Sequence, residues 1–246
     1  MAEPCLSRAC VTLGTSHFKE ANERVRAALA EADVVELRDV CAQRYLGCAM
    51  PVGKRLEIHG VPGNDMASYL DGGAIEVFGN AQDQIGNTMN GGSIVIHGRC
   101  GDAAGYAMRG GRIFVRDGCG WRVGIHMKQY EGRRPAIVVG GDAGSFLGEY
   151  LAGGVIVLMG RPGQYLATGM HGGVIYLREP LAADEVPEGL VLEPVDADDR
   201  ALLADLLGEY NAHFASDLGA PVEATGEGYY RLRPASSRPY ASLYAS

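Results

Sequence analysis

The stretch GNTMNGGSIVIHG, residues 86–98, decides the fold, because GYAMRGGRIFVRD repeats its pattern at residues 105–117. Both copies place a glycine pair before an alternating run of branched residues. The intervals between glycine pairs are 19, 19, 43 and 19 residues, and the pairs are Gly72-Gly73, Gly91-Gly92, Gly110-Gly111, Gly153-Gly154 and Gly172-Gly173. The interval of 43 is one unit of 19 and one of 24, with five extra residues placed within Lys128–Pro135. A fixed period of this kind indicates a stacked repeat.

Each glycine pair precedes an alternating apolar run that predicts a β-strand, and equivalent positions extend back to Val35 and Leu37. No single unit can bury its apolar positions, but stacked units bury them as continuous ladders. A unit of this length leaves room for two or three strands of about 3–5 residues, with glycines at the corners. The sequence therefore predicts an all-β solenoid, a single-stranded right-handed parallel β-helix of about seven or eight rungs.

The sequence on either side of the repeat predicts one helix at each end. Residues 1–34 form an N-terminal segment in which Ser16–Ala32 is an amphipathic helix that caps the first rung. Residues 35–179 form the β-helix. Residues 180–246 comprise a linker over Pro180–Pro194, a second helix over Asp198–Phe214 and a tail from Gly219. We expect the tail either to be disordered or to become ordered on a partner.

Composition restricts the class of protein. The chain has 246 residues and a formal net charge of −8, which argues against a surface for nucleic acids or acidic membranes. No apolar run approaches the ~18 residues of a membrane-spanning helix, and residues 1–10 lack the features of a signal peptide. We therefore expect a cytoplasmic protein whose six cysteines are reduced.

The outward position of the repeated strand changes character along the chain. It is acidic in the early rungs, at Glu57 and Glu76, and a strand that faces water should stay polar on that side. We expect the helix over Asp198–Phe214 to cover the later rungs, with a subunit interface as the alternative. The apolar outward positions of those later rungs are Val95, Phe114, Val138, Val157 and Tyr176.

The cysteines do not predict a metal site. Cys100 and Cys119 lie one period apart in a column of small residues, so a disulfide or a metal pair is conceivable, but packing is the preferred interpretation. The remaining cysteines lack the spacing of zinc or iron–sulfur motifs. We expect neither a metal nor a cofactor in this chain.

The sequence also predicts no catalytic residues. Asp83 and Asp102 share a turn column, and one rung would separate their carboxylates by roughly the 5–5.5 Å found in retaining glycosidases. Some polysaccharide-cleaving enzymes are β-helices, but we expect no secretion signal and no aromatic-lined groove here. Aspartate also favours turns for hydrogen bonding alone. His59 and His97 end their strands, and we expect them to be exposed rather than catalytic.

The densest polar cluster surrounds the five-residue insertion. An insertion that interrupts a solenoid is often functional. We therefore assign this region to contact with a partner, with a solvated bulge as the alternative. The candidate contact residues are Trp121, Arg122, His126, Lys128, Arg133 and Arg134.

Several segments resemble a known family. The runs GVPGNDMASYLDGG, GNTMNGGSIVIHG, GYAMRGGRIFVR and FLGEYLAGGVIVL are similar to the Gly-x-Gly-x-Gly domain that closes the large subunit of glutamate synthase, and the similarity covers about residues 35–177. This domain also stands alone in archaeal-type split glutamate synthases, in methylamine–glutamate N-methyltransferase (N-methylglutamate synthase) and as the C subunit of formylmethanofuran dehydrogenase. The length of this chain, its N-terminal helix and its Arg-Pro-Tyr sequence at 238–240 most resemble the first two groups.

The resemblance implies a right-handed β-helix without catalytic residues of its own. It implies two partners, a glutaminase-like amidotransferase subunit and a synthase subunit that holds FMN and an iron–sulfur cluster. In that family the β-helix keeps both in register and helps to shape the path for ammonia, or for methylamine in N-methylglutamate formation. Cys5 does not begin an amidotransferase fold, and the repeats leave no room for a flavin barrel. A free-standing carbohydrate-active enzyme and a formylmethanofuran dehydrogenase subunit are the alternatives.

Overall fold

The computed structural model describes residues 6–236. The strands β1–β9 run parallel, each paired with the next, and the sheet order is β1-β2-β3-β4-β5-β6-β7-β8-β9-β11-β10. The chain thus winds into a β-solenoid of about eight turns, which confirms the predicted fold class. The elements in chain order are β1 (Arg8–Gly14), α1 (Phe18–Glu31), β2 (Val34–Cys41), β3 (Arg55–Val61), β4 (Asp71–Phe78), β5 (Gly91–Ile96), β6 (Arg112–Val115), β7 (Ala136–Val139), β8 (Ala152–Leu158), β9 (Gly172–Leu177), β10 (Leu190–Pro194), α2 (Ala197–Leu218) and β11 (Tyr230–Pro234).

The strand register follows the repeat. Ile94 pairs with Ile113, which pairs in turn with Ile137 across the longer unit. The five extra residues therefore lie outside the paired strands and do not shift the strand register. Val35 pairs with Leu56, so the extrapolation of the columns to β2 is also confirmed.

In the described chain each rung has one regular strand, and turns with isolated parallel bridges such as Cys100 with Cys119 form the remaining sides, so the room for two or three strands is not used. In one rung, Gln84, Gly86 and Thr88 have positive φ angles of 57°, 67° and 53°. The Gln84 and Thr88 N–H groups donate to the next rung, and the Gly86 N–H donates to the previous one. Backbone groups are thereby paired between rungs as in a sheet. We call residues 45–49, 64–69, 83–88, 102–107, 121–126, 145–150 and 164–169 the turn face.

The glycine pairs make the corners between the turns and the strands. In each predicted pair one glycine has a positive φ, and Gly111 shows this with +84°. Its neighbour Gly110 passes so close to the rung below that a Cβ there would lie 2.2 Å from the Asn90 carbonyl oxygen. One member of the pair therefore supplies the left-handed conformation and the other the close approach.

A continuous apolar core fills the solenoid. Each rung contributes inward side chains from its strand and its turns, such as Ile113, Met108 and Val123, and all three are fully buried. Burial of a side chain of this size stabilises the fold by about 1.5–3 kcal/mol. The stacked columns therefore supply the main stabilisation of the chain.

The N-terminal end differs from the prediction in one respect. α1 does cover the end of the core, through Ala21, Val25 and Leu29. However, β1 precedes the helix and pairs in parallel with β2, so the winding begins before Val35. We did not predict this strand. The Arg24 side chain donates to the Thr12 carbonyl oxygen at 2.6 Å, which satisfies one acceptor on the open edge of β1.

The C-terminal end contradicts the linker and tail predictions. Leu181, Val186 and Leu190 pack against the end of the core, so the segment read as a linker is a cap. β11 lies between β9 and β10 and is antiparallel to both, so part of the aperiodic tail belongs to the sheet. The Arg-Pro-Tyr sequence at 238–240 and the rest of residues 237–246 lie outside the described residues.

Helix α2 lies across the outward face of the later strands, as predicted. It begins with a capping box between Asp196 and Asp199 and ends at Gly219, which has a φ of 69°. Its buried residues form a second core with the outward strand residues, so this stripe is covered within the chain and is not a free subunit interface. The members of this second core include Val95, Phe114, Val138, Val157, Tyr176, Leu203, Leu206, Leu207, Tyr210 and Phe214.

Candidate functional site

The residues predicted to contact a partner fall into three groups. Trp121 and Arg122 lie on the turn face, where Trp121 is 52% exposed. The Arg122 Nε donates to Glu149 at 3.0 Å, and its guanidinium lies 4.8 Å from the centroid of the Phe146 ring. Phe146 in turn stacks on Tyr165 at 4.8 Å. Arg122 therefore begins a stack of planar groups that continues into the following rungs.

His126 belongs to a second stack on the turn face. Its ring lies 5.2 Å from that of Tyr150 with an interplanar angle of 7°, and Tyr106 contacts it edge-on at 5.9 Å. His126 and Tyr150 both have left-handed backbone, at φ values of 55° and 52°, which turns their side chains outward at equivalent positions. The left-handed turns therefore explain how side chains a full rung apart come to stack.

The insertion forms the third group and is a short hairpin. Tyr130 and Arg133 form an antiparallel bridge around the turn residues Glu131 and Gly132. The Arg133 Nη1 donates to Asp71 Oδ1 at 2.8 Å and to the Asn90 carbonyl oxygen at 3.1 Å. The hairpin is therefore tied back to earlier rungs by its arginine.

Lys128 and Arg134, which complete the predicted contact set, are exposed at either end of this hairpin. They make no ion pair within residues 6–236. The structure does not gather the six predicted residues into one cleft but distributes them over the turn face and its border.

The turn face carries exposed aromatic side chains that, apart from Trp121, were not predicted. Tyr106, Trp121, Tyr150 and Tyr165 are all exposed on the turn face. They belong to different rungs, and the stacking of rungs places them on one face of the solenoid. The rings of Tyr150 and Tyr165 are stacked on neighbouring rings, which occupies one face of each. Exposed aromatic groups of this kind are typical of protein interaction surfaces.

The two turn aspartates hold successive rungs together. The Asp102 N–H donates to Asp83 Oδ1 at 2.9 Å, and the Trp121 N–H donates to Asp102 Oδ1 at 2.8 Å. Asp142 accepts from the Arg161 N–H in the same way, at 2.8 Å. Each carboxylate is thus a hydrogen-bond acceptor for the backbone of the next rung. These inter-rung hydrogen bonds account for the spacing of the aspartates.

Cys100 and Cys119 are neighbours in a bridge of the parallel stack, and both are buried free thiols. A hydrogen bond with Cys119 and burial raise the pKa of Cys100 well above its ordinary value, because both disfavour the thiolate. Among residues 6–236 we find no group of three or more His, Cys, Asp or Glu side chains that could hold a metal.

The structure separates the two strand-end histidines. His59 is exposed and stacks on Phe78, as expected, but the side chain of His97 is only 12% exposed, so that prediction is wrong. His97 Nδ1 lies 2.6 Å from Asp217 and its Nε2 lies 2.9 Å from Glu76. The hydrogen bond with His97 is the main cause that lowers the pKa of Asp217. His97 thus joins the end of α2 to the sheet.

Further polar contacts fasten α2, and none of them was predicted. Arg112 pairs with Asp205 at 2.7 Å and with Glu209. The Tyr210 hydroxyl donates to the Arg116 carbonyl oxygen at 2.9 Å, and burial raises the pKa of Tyr210. Arg112 occupies an outward position beside the apolar stripe, and the acids recur on one face of the predicted helix. The outward arginine and the acidic helix face could both have been read from the sequence and would have predicted these contacts.

No helix in the described part of the chain is long and apolar enough to cross a membrane. The family model described as the GXGXG motif matches residues 31–225. The uncharacterized protein MJ1350 of Methanocaldococcus jannaschii is 36% identical over 244 residues, and the alignment covers 93% of each chain. The family match thus spans β2 to β10 and reaches through α2. This chain belongs to the GXGXG motif family.

Proposed function

We propose that this chain is a non-catalytic structural subunit of a glutamate-synthase-type complex. It holds a glutaminase-like amidotransferase subunit and an FMN and iron–sulfur synthase subunit in register, and it acts in the cytoplasm. The observation that carries the proposal is the family match over residues 31–225, since the Gly-x-Gly-x-Gly domain is the part of glutamate synthase that this sequence resembles. In this proposal FMN and the iron–sulfur cluster are bound by the synthase subunit.

The filled interior supports a scaffold role and restricts how the chain could serve a path for ammonia or methylamine. Inward residues along the solenoid, such as Met66, Ile85 and Leu147, are at most 1% exposed. A small molecule has no channel through side chains packed in this way. In the proposed complex this chain therefore contributes an outer surface to the wall of the path.

Purification from the native host at low salt, followed by mass spectrometry, tests the proposal. We expect an amidotransferase-like chain and an FMN-binding chain to accompany this one in a fixed ratio, with the absorbance of flavin and of an iron–sulfur cluster. A chain that elutes alone as a monomer under these conditions would contradict the proposal.

Reconstitution then tests the scaffold role itself. With all subunits present, glutamine hydrolysis should be coupled to formation of glutamate or N-methylglutamate with little free ammonia. Omission of this chain should leave both half-reactions measurable while ammonia escapes to solvent. Loss of the flavin reaction itself on omission would instead assign this chain a direct part in that chemistry.

A further inference from the structure

A row of basic residues follows the border between the turn face and the sheet. Arg109 and Lys128 occupy equivalent positions in successive rungs, because the Lys128 N–H donates to the Met108 carbonyl oxygen at 3.0 Å. His171 occupies the same position two rungs further on, where its N–H donates to the Leu151 carbonyl oxygen at 2.9 Å. Together with two adjoining exposed basic residues these residues form what we call the basic edge, which consists of Arg109, His126, Lys128, Arg133 and His171.

Two of the positive charges on this edge, those of Arg109 and Lys128, are not neutralised within residues 6–236, whereas Arg133 pairs with Asp71. Arg109 and Lys128 are exposed and form no ion pair in the described structure. The neighbouring acids Asp71 and Glu149 are occupied by Arg133 and Arg122. Glu131, at the hairpin turn, pairs with no cation among residues 6–236. The chain as a whole carries a formal charge of −8, so a local excess of cations is a feature of this surface and not of the composition.

Part of the basic edge is also pre-organised. His126, two residues before Lys128 in the chain, stacks on Tyr150, and Tyr106 contacts its ring edge-on. Tyr106 and Tyr150 remain 39% and 44% exposed, so aromatic surface adjoins the charges. Tyrosine and arginine are enriched at protein interfaces, and side chains ordered before binding lose less entropy on association.

We infer that the basic edge is the docking surface for an acidic segment of a partner protein. That the partner is one of the two subunits named above rests on the proposed function. That its docking segment is acidic rests on the charge of the basic edge and on the aromatic side chains beside it. Opposite charges across an interface select the partner and accelerate association.

A double charge reversal tests the inference with a matched control. The variant Arg109→Glu/Lys128→Glu changes the basic edge. The control Lys19→Glu/Arg26→Glu changes an exposed lysine and an exposed arginine on α1 by the same total charge. The probe is a fluorescent decaglutamate peptide, and binding is measured by fluorescence anisotropy at low and at physiological salt.

We expect the wild type and the control to bind decaglutamate with similar affinity and the edge variant to bind it at least about tenfold more weakly. The binding should also weaken as salt rises, because the contacts are exposed. Equal weakening by the two variants would show a non-specific charge effect and would overturn the inference. A stronger affinity for a single-stranded decathymidine than for decaglutamate would overturn it in favour of a nucleic-acid surface.

The same variants in the purified complex separate this inference from the proposed function. If the wild-type complex forms and only the edge variant releases a partner chain, both are supported. If both variants retain the complex equally well, the docking surface lies elsewhere while the proposed function stands. If no complex forms but decaglutamate still binds the edge selectively, the proposed function fails and the docking surface stands.

Discussion

The outward face of the sheet has two halves that share one backbone and differ in what covers them. From β2 to β4 the same strand position is occupied by Glu36, Glu57 and Glu76, each of which pairs with a neighbouring arginine. From β5 onward α2 lies over that position, and the residues there, beginning with Val95 and Phe114, are buried. The comparison teaches that the composition of a solenoid face is set by its neighbour and not by the strand itself.

Removal of a phenylalanine should break this comparison most strongly. Phe114 is fully buried under α2. We expect Phe114→Ala to lower the free energy of unfolding by about 3–5 kcal/mol, because the substitution leaves a cavity in the second core. Phe78 lies in the uncovered half and is 41% exposed. We expect Phe78→Ala to lower the free energy of unfolding by about 1 kcal/mol or less. Urea unfolding followed by circular dichroism measures both. Similar losses for the two variants would mean that α2 does not exclude water from its half.

A single hydroxyl should have a smaller effect. Tyr210→Phe removes the donor to the Arg116 carbonyl oxygen, which is part of the seam between α2 and the sheet. We expect a loss of about 1 kcal/mol in the free energy of unfolding. Tyr69→Phe on the exposed turn face, where the hydroxyl makes no hydrogen bond within the described residues, serves as the control and should change little. If Tyr210→Phe leaves the free energy of unfolding unchanged, α2 must lie further from the sheet than described here.

Two arginines in one strand column sharpen the comparison further. Arg112 joins the sheet to Asp205 and Glu209 of α2, whereas Arg55 joins Glu57 and Glu76 within the sheet. Each replacement by glutamine should cost at most about 1 kcal/mol, because the pairs are partly exposed. Limited proteolysis separates them, since Arg112→Gln should expose α2 to cleavage and Arg55→Gln should not. Equal cleavage of both variants would argue that packing alone retains the helix.

The smallest expected effect is a pH dependence at the boundary between the halves. The hydrogen bond with His97 lowers the pKa of Asp217 below its ordinary value. A carboxyl group whose pKa is lower in the folded state stabilises the fold above its unfolded pKa, and that contribution is lost as pH falls through the folded value. Below about pH 4, the wild type should therefore lose melting temperature more steeply than Asp217→Asn. Asp184→Asn, at an exposed site without an ion pair in the described chain, should follow the wild type.

The sequence predicted where much of the candidate surface lies in the chain, but it did not predict which side chains contact each other there. The interval of 43 residues located the insertion, and Arg133 does lie in it. Its contact with Asp71 was not predicted, because the two residues are 62 positions apart and meet only through stacking. The turn-face stacks, such as His126 on Tyr150, were missed for a related reason. They depend on left-handed backbone at non-glycine residues such as His126 and Tyr150, where a positive φ is uncommon and is not expected from the sequence pattern.

The sequence by itself determined the solenoid, its register and the face that α2 covers, because a repeated pattern reports at every turn which side chains must leave water. Only the tertiary structure decided the ends, where β1, β10 and β11 join the sheet and residues 180–189 close the core. Those segments occur once and carry no period. Their place depends on backbone groups and apolar surface that the last rungs leave unsatisfied, and these exist only after the solenoid has formed.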